Sequence, residues 1–511
     1  MSPSPQDPII IGVGEVRQKN FTLENTLEPA ELILSAIRNA AKDTTVDVIK
    51  YVDSISVVPP WSWTYDNLPK YLAQKLGVEP SHLELSSHGG HTPALLCDAA
   101  AARVAAGKTK LAVVAGGEAM ASLLACQKAG LLPPPGWTEM SPDAKLYGPS
   151  DPALLKDVGA SHSIGMPIQV YPLYENAYRK HNQQTFHENH LESAAIYAEF
   201  DKIACQHPIS WRSGETPRDI DAIKTITKQN RMICTPYPLL MNAFNGVNLA
   251  AACIITSVEY ATKLGVPQDK WVYIAGGAGS NDSSHFWERA NYFSSPAIEY
   301  SIDKALESAA LAKNEIDCFD FYSCFPIVPK LACKHVGLDV QKPAKPITLL
   351  GGLTSFGGAG NNYSLHAIVE MTRVIRSRKH QNGLVLANGG ILSWQYALCL
   401  SAQPRHNTSI YVKREVLDNG DVSQGPEFAS TAQGEAVIET YTVDYDRKGP
   451  KLGHIIGRLA ENGQRFIANH GDEHTLTTLA SANTEPIGMK GRVNMSDDGR
   501  NLFTLSATAK L

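Results

Sequence analysis

The feature that most constrains the fold of this chain is a glycine-rich loop followed by a helix and a strand, a unit that occurs twice. The first copy begins with Gly-Gly-His-Thr-Pro at 89–93 and continues in a helical stretch over 94–106. The second begins with Gly-Gly-Ala-Gly-Asn-Asn at 357–362 and continues in a helix over 363–377. In both copies an apolar strand and a Gly-Gly pair follow. This repetition predicts two related halves around a pseudo-twofold axis, with recurrence of an ordinary βαβ pattern as the alternative.

The rest of the pattern divides the chain into further parts. Short apolar strands alternate with amphipathic helices through the first two thirds, which predicts a parallel α/β architecture. This rhythm breaks between residues 123 and about 235, where prolines and aromatic residues predict an inserted subdomain that forms a lid or faces a ligand. After residue 404, short strands between turns, the first at 410–412, predict a small antiparallel, OB-like β-barrel. The predicted units are an N-terminal half (1–265), a C-terminal half (266–404), the barrel (405–506) and a flexible tail (507–511).

Composition excludes several classes of function. Lys and Arg number 46 against 51 Asp and Glu, which gives a net charge of -5 and no basic surplus for nucleic acid or an anionic membrane. The sequence contains no apolar run of about twenty residues, so we expect no membrane span. The nine cysteines are never spaced as Cys-x-x-Cys, so we expect neither a disulfide framework nor a structural zinc site.

The last three residues resemble a targeting signal. Ala509, Lys510 and Leu511 are similar to the C-terminal Ser-Lys-Leu tripeptide that the peroxisomal import receptor binds, with one small residue replacing another. The resemblance predicts a peroxisomal location and the import receptor as a partner. A chance match of three residues is the alternative.

Four motifs, at 107–120, 242–252, 322–325 and 351–358, stand in the order of those of the thiolase superfamily, which they resemble. The run 107–120 is similar to the thiolase strand that ends in Ala-Gly-Gly-x-Glu-Ser-Met, and 242–252 is similar to the segment that lines the pantetheine channel. Tyr-Ser-Cys-Phe at 322–325 stands where thiolases carry Asn-Glu-Ala-Phe, and 351–358 resembles the loop that ends in Gly-His-Pro. The resemblance covers most of residues 5–403 and implies a thiolase fold, binding of an acyl-CoA thioester and a homodimer.

The three reactive side chains of a thiolase are absent at the aligned positions. The nucleophilic cysteine falls on Gly90, the histidine of Gly-His-Pro falls on Gly358, and the second cysteine falls on Ala387. A missing thiol at Gly90 predicts free volume into which a substrate carbonyl could move. A closer resemblance is to the thiolase-like branch named acetyl-CoA acetyltransferase, which shares Gly-Gly-x-Thr-Pro, Tyr-Ser-Cys-Phe-Pro, Asn-Gly-Gly and a C-terminal barrel.

Four residues are the candidates for catalysis. A phenol at Tyr322 could donate a hydrogen bond to an enolate oxygen or act as a base, as tyrosines do in thiolase-like aldolases, and a packed core residue is the alternative. Cys324 could be a relocated nucleophile or a bystander. His91, at a helix N-terminus, could be a neutral base or donor, or cap the loop. The amide of Asn388 could hold a thioester oxygen or cap a turn.

A further four residues are the candidates for binding the substrate. Asn245 and Gly246 belong to the segment that resembles the pantetheine channel, and Asn361 and Asn362 flank the predicted pocket. We expect no metal site and no bound cofactor, with the coenzyme A thioester as substrate. The predicted function is acyl transfer on a CoA thioester without the cysteine nucleophile. A retro-aldol or retro-Claisen lyase and a non-catalytic acyl-CoA-binding or scaffolding protein are the alternatives.

Overall fold

The computed structural model describes residues 3–140, 158–405, 410–418 and 425–506. Up to residue 264, the strands are β1 (Pro8–Arg17), β2 (Ser54–Val58), β3 (His82–Leu85), β4 (Leu111–Ala119), β5 (Met232–Cys234), β6 (Tyr237–Pro238) and β7 (Asn248–Ser257). The helices of this part are α1 (Pro29–Asp43), α2 (Leu68–Leu76), α3 (Thr92–Ala105), α4 (Met120–Lys128), α5 (Val158–Ser161), α6 (Pro167–His181), α7 (Phe186–Gln206), α8 (Ile220–Lys224) and α9 (Val258–Leu264).

The second half and the C-terminal region follow. The second half contains the strands β8 (Val272–Asn281), β9 (Cys318–Phe321), β10 (Asn382–Gly389), β11 (Trp394–Ser401) and β12 (Leu417–Asp418) and the helices α10 (Pro296–Ala309), α11 (Ile327–Val336) and α12 (Tyr363–Arg376). The C-terminal region contains β13 (Gly434–Tyr445), β14 (Pro450–Leu459), β15 (Arg465–His470), α13 (Glu473–Ala480), β16 (Lys490–Met495) and β17 (Asn501–Leu505).

The central sheet shows the predicted duplication directly. Its strand order is β3-β2-β4-β7-β1-β8-β11-β10-β9, so that the two halves meet at the antiparallel pair β1–β8. Outward from that pair, the first half runs β1, β7, β4, β2 and the second runs β8, β11, β10, β9, which is the same order counted within each half. Beside β9, where the first half has β3, the carbonyls of Pro346 and Ile347 accept hydrogen bonds from the N–H groups of β9. Two related halves are therefore confirmed.

The sheet is mixed, and the prediction of a parallel architecture was wrong in this respect. Strands β2 and β4, like β9 and β10, are parallel, but β7 and β11 return antiparallel to their neighbours. Every residue of β4 and β7 is buried because helices cover both faces of the sheet. Among the described residues, no helix is both long and apolar enough to cross a membrane.

Helices α3 and α12 are equivalent elements of the two halves and lie against each other at the centre of the molecule. Each follows one of the glycine-rich loops that the sequence analysis identified. Pro93 stands in the first turn of α3. Backbone N–H groups of this turn have no carbonyl acceptor within the helix, so the missing N–H of proline costs no helical hydrogen bond. Ten residues of α12 are buried, which fits a helix enclosed by both halves. The two loops are thereby brought to the same place.

The described part of the inserted segment is mostly helical and contacts the C-terminal region. Its strands β5 and β6 extend the sheet of the C-terminal barrel through a pairing of Cys234 with Asp444. Helix α6 presents an unusual number of buried polar side chains, including Glu175, Asn176 and Arg179. Two of these residues bind atoms of the C-terminal region: the Asn176 amide donates to the carbonyl of Tyr441, and Arg179 pairs with Glu485.

The C-terminal region forms a closed five-stranded barrel. Its strand order is β14-β15-β17-β16-β13, and a β13–β14 pairing closes the ring. The pairs are antiparallel except β15–β17, which is parallel, and α13 lies between β15 and β16 in the chain. This is the OB-like arrangement that the sequence predicted, with one parallel pair as the correction. The predicted strand at 410–412 is absent, because this segment is extended without a strand partner and buries only Tyr411, against Asp98.

Candidate active site

The candidate site lies where the loops that precede α3 and α12 meet. The N–H of Gly89 donates to Asn361 Oδ1 over 3.0 Å, and Ser364 Oγ donates to the carbonyl of Gly90 over 3.1 Å. Both loops therefore fix each other across the junction of the two halves. The region holds the four candidate catalytic residues, which the structure brings together from positions up to about 300 residues apart in the chain.

The position of the missing nucleophile is filled. A Cβ atom built on Gly90 would lie 2.5 Å from the carbonyl oxygen of Asn388 and 2.6 Å from the phenolic oxygen of Tyr322. Both distances are shorter than the non-bonded contacts that Cβ atoms make in proteins, so a side chain at residue 90 would displace these groups. The expected free volume at Gly90 is therefore wrong: the Tyr322 hydroxyl already occupies it.

The position of the missing histidine is filled as well. A Cβ atom on Gly358 would lie 2.5 Å from Oδ1 of Asn245, and the N–H of Gly358 donates to the carbonyl of Phe244 over 2.7 Å. Asn245, a predicted substrate-binding residue, thus faces the second loop. Its neighbour Gly246 lies beside Phe244 and Leu124, which are 47% and 48% exposed. Phe244 belongs to the segment that resembles the pantetheine channel, and Leu124 lies beside that segment.

Tyr322 is held with its hydroxyl protonated. Its N–H donates to the carbonyl of Leu386 over 3.0 Å, and its ring packs edge-on against Tyr363 at 5.6 Å between centroids. Burial, with a smaller contribution from the adjacent Cys324, raises the pKa of Tyr322 well above its ordinary value. A neutral phenol donates hydrogen bonds and does not accept protons, so the arrangement suits the role of donor and not that of base.

Cys324 and Asn388 belong to one buried hydrogen-bond network. Burial raises the pKa of the Cys324 thiol to about 12, which leaves almost no thiolate at neutral pH. The Asn388 amide nitrogen lies 3.7 Å from Cys324 Sγ and 2.7 Å from the hydroxyl of Tyr171, and its oxygen accepts from Gln395 over 2.6 Å. The amide of Asn388 is therefore committed within the protein, and only its backbone carbonyl faces Gly90.

His91 stands immediately before α3, but its side chain does not cap the helix. Its ring lies 5.4 Å from that of Trp394, and its Nδ1 is buried without a hydrogen-bond partner among the described residues. Gly89 and Gly389 leave room for the imidazole, because a Cβ atom on either would lie 2.6 Å from Nδ1. Burial lowers the pKa of His91 to about 4, so the ring is neutral at physiological pH.

Asn361 and Asn362 are mainly braces between the halves. Asn361 accepts from the indole N–H of Trp61 and donates to the carbonyl of Pro59, each within 3.0 Å, and it also binds His88. Asn362 donates to the carbonyl of Gly116 over 2.8 Å, while its Oδ1 is buried without a hydrogen-bond partner in the described part of the chain. Of these two predicted substrate-binding residues, only Asn362 has an amide atom left over.

Tyr171, on α6, is a site residue that the sequence analysis did not select. Its hydroxyl accepts hydrogen bonds from the Asn388 amide over 2.7 Å and from the N–H of Leu392 over 3.0 Å, and its ring stacks on Phe325 at 4.7 Å. The signal in the sequence that could have identified Tyr171 was the presence of polar aromatic residues along a helix that is otherwise buried. Within the described residues no three His, Cys, Asp or Glu side chains are grouped as metal ligands would be.

Comparison with known proteins identifies the family. A solved structure described as a monomeric SCP2-thiolase like protein type 1 from Mycobacterium smegmatis is 31% identical, covers 98% of this chain and 100% of its own, and superimposes with a TM-score of 0.81. The chain belongs to this family of thiolase-like proteins. The family model for the thiolase-like protein type 1 additional C-terminal domain matches residues 418–499, which contain most of the barrel. No curated protein sequence matches the chain significantly.

A more distant structure shows the same fold. The Ltp2-ChsH2(DUF35) aldolase is 17% identical, covers 78% of this chain and 98% of its own, and gives a TM-score of 0.60. The thiolase-like fold with a C-terminal barrel is thus confirmed. The homodimer stays a prediction, and the M. smegmatis relative is described as monomeric. Ala509, Lys510 and Leu511 lie outside the described residues, so the peroxisomal location also stays a prediction.

Proposed function

We propose that this thiolase-like protein binds an acyl-CoA thioester at the junction of its halves and acts on it by acid–base chemistry without an acyl-cysteine. The observation that carries the proposal is the Tyr322 hydroxyl in the position of the thiolase nucleophile. A phenol there is at the N-terminal end of α3, where it can donate to the oxygen of a thioester carbonyl or enolate. Hydrogen-bond donors at such an oxygen lower the barrier to breaking a carbon–carbon bond beside the thioester.

Cleavage of a 3-hydroxyacyl-CoA illustrates the chemistry. A base takes the proton of the 3-hydroxyl group, and the bond between the second and third carbons breaks. The third carbon and its oxygen leave as an aldehyde or ketone, and the electron pair of the broken bond forms the thioester enolate. Tyr322 donates to the enolate oxygen, and a proton returned to the second carbon completes the reaction. His91 is the candidate base because its imidazole is neutral and its Nδ1 is unpartnered within the described structure.

Acyl transfer, the reaction that the sequence resemblance implies, is the alternative chemistry. Transfer through Cys324 would require a thiolate, and burial disfavours that form. In direct attack, a second substrate would add to the thioester carbonyl and lose its proton to a base such as His91, Tyr322 would donate to the resulting oxyanion, and CoA would leave as the thiolate and take up a proton. We therefore place carbon–carbon cleavage before acyl transfer and retain both reactions in the test.

A non-catalytic acyl-CoA-binding protein is the second candidate function. It is favoured by a specific observation: two of the three emptied catalytic positions, Gly90 and Gly358, are filled by Tyr322 and by Asn245, and the amides of Asn361 and Asn388 are committed to the protein. A protein of this kind would bind CoA thioesters and release them unchanged.

The deciding experiment incubates the protein with acyl-, 3-oxoacyl- and 3-hydroxyacyl-CoA and detects products by mass spectrometry. We expect cleavage of at least one thioester and a loss of about 10²–10³-fold in turnover in Tyr322→Phe. Tyr65→Phe is the matched control, because Tyr65 is equally buried but binds Ala30 and Glu28. Binding without turnover would favour the second candidate, and the absence of both would refute the proposal.

The location and the oligomeric state are part of the same proposal. We propose that Ala509, Lys510 and Leu511 bind the peroxisomal import receptor. A fluorescent protein that carries this tail should enter peroxisomes, and the same fusion without Leu511 should not. Light scattering of the purified protein distinguishes the homodimer from a monomer.

A further inference from the structure

The segment that follows β10 is held in an unfavourable conformation. Leu392 has a φ of 68°, in the left-handed region that a leucine rarely adopts. Its N–H donates to the Tyr171 hydroxyl, and the carbonyl of Ser393 accepts from the N–H of Asp282 over 2.7 Å. We call residues 390–393 the β10–β11 loop. It joins the end of β10, which carries Asn388, to Trp394, the neighbour of His91, so its conformation shapes the candidate active site.

Arg289 supplies further hydrogen bonds to this loop. Its guanidinium donates to the carbonyl of Ile391 and to Ser393 Oγ, each over 2.9 Å, and to the hydroxyl of Tyr174 and the carbonyl of Ser283. Arg289 is 2% exposed, and its closest carboxylate oxygen among the described ion pairs lies 4.0 Å away. A buried guanidinium that depends mostly on neutral acceptors keeps them in place, because leaving any of its donors unpaired is costly.

A second buried arginine connects Arg289 to the barrel. Arg465 begins β15 and donates to the carbonyls of Trp287, Arg289 and Ala290. It is oriented from within the barrel by Glu439, whose carboxylate lies 2.6 Å from Nη2 and 2.9 Å from Nε. Arg465 therefore holds the backbone of 287–290, and the side chain of Arg289 extends from that backbone to the β10–β11 loop.

We infer that Arg465 and Arg289 form a relay through which the C-terminal barrel positions the β10–β11 loop. The barrel then acts within the chain as a support for the candidate active site. Both arginines are positioning residues, because their contacts are with protein atoms. The term active site rests on the proposed function, but the mechanical coupling does not depend on it.

Hydrogen exchange measured by mass spectrometry in the full-length protein tests the relay. In Arg465→Met we expect the amides of Asp282 and Leu392 to exchange about tenfold faster, while amides of the β13–β14 pair keep their rates. Arg458→Met is the matched control, since Arg458 also pairs with Glu439, at 2.6 Å, but among the described residues donates otherwise only to the carbonyl of Gly463. Unchanged exchange at both reporter amides in folded Arg465→Met would overturn the inference.

A milder pair of variants covers the case in which Arg465→Met does not fold. Arg289→Lys keeps a positive charge but cannot form the forked contacts, and Ser393→Ala removes one acceptor of Arg289. Faster exchange at Leu392 in Arg289→Lys, with a smaller change in Ser393→Ala, supports the relay, and wild-type rates in both contradict it. If acyl-CoA turnover exists, Arg289→Lys should lower kcat about tenfold with little change in KM. Loss of loop protection in a protein whose wild type neither binds nor turns over acyl-CoA would leave the relay standing and refute the proposed function alone.

Discussion

The loops before α3 and α12 occupy equivalent places in the two halves, but different groups fill the space that a reactive side chain would take in each. Each lacks the reactive side chain that a thiolase carries there, at Gly90 and at Gly358. At Gly90 the space is taken by the Tyr322 phenol and by the backbone carbonyl of Asn388. At Gly358 it is taken by Oδ1 of Asn245.

The difference teaches that these two substitutions have separate consequences. The wall at Gly90 is partly backbone and therefore rigid, and it includes an ionisable group. The group within 3 Å of a Cβ atom built on Gly358 is the end of the half-buried Asn245 side chain. This amide can move, and it does not titrate. We therefore expect chemistry at the first loop and substrate contact at the second.

The largest expected effect is at Gly90. Gly90→Ala should lower the free energy of unfolding by about 3 kcal/mol, because its Cβ meets the carbonyl of Asn388, which is held in β10. Denaturant titration measures the change. Adding Tyr322→Phe should restore only part of the loss, since the carbonyl remains. A Gly90→Ala protein as stable as the wild type would show that the first loop has free space after all.

The next largest effect is a dependence of the unfolding free energy on pH, which we expect from His91 in the first loop. The pKa of His91 is about 4 in the folded protein, below its ordinary value of 6.5, so between these values the unfolded chain binds a proton that the folded chain does not. The stabilisation is fully present above pH 6.5 and is lost as the pH falls toward 4, by about 1–3 kcal/mol in all. His91→Asn should flatten the dependence of unfolding free energy on pH in this window. Equal slopes in the two proteins would mean that His91 titrates normally.

A smaller effect is expected at the second loop. Gly358→Ala should cost about 1 kcal/mol, because the Asn245 side chain can turn away. The double variant Gly358→Ala, Asn245→Ala should return to within a few tenths of a kcal/mol of Asn245→Ala alone. Thermal unfolding of the four proteins measures the coupling. A double variant that keeps the full cost would indicate a backbone wall like that at Gly90.

The smallest effect concerns Cys324, whose thiol lies in the candidate active site. Since burial raises the pKa of Cys324 to about 12, iodoacetamide at pH 8 should leave it unmodified in the folded protein and modify it in urea. Cys324→Ala should change acyl-CoA turnover less than about twofold. Rapid alkylation of the folded protein, or a large loss of turnover, would show that Cys324 has replaced the thiol missing at Gly90.

Several parts of the fold could be predicted because their causes are local. The repeated loop-helix-strand pattern gave α3 within two residues of its observed start and also gave the two halves. The barrel followed from short strands between turns, but its parallel β15–β17 pair did not. Strand direction depends on how the chain crosses the barrel, and no local pattern records that crossing.

The sequence by itself determined which residues the site lacks, because a missing thiol or imidazole at Gly90, Gly358 and Ala387 is read from residue identity alone. Only the tertiary structure decided what took their places. The contact between Tyr322 and Gly90 and the bond between Tyr171 and Asn388 each join residues more than 200 positions apart. Packing density fixes such contacts to tenths of an ångström, whereas spacing along the chain fixes only the order in which the groups arrive.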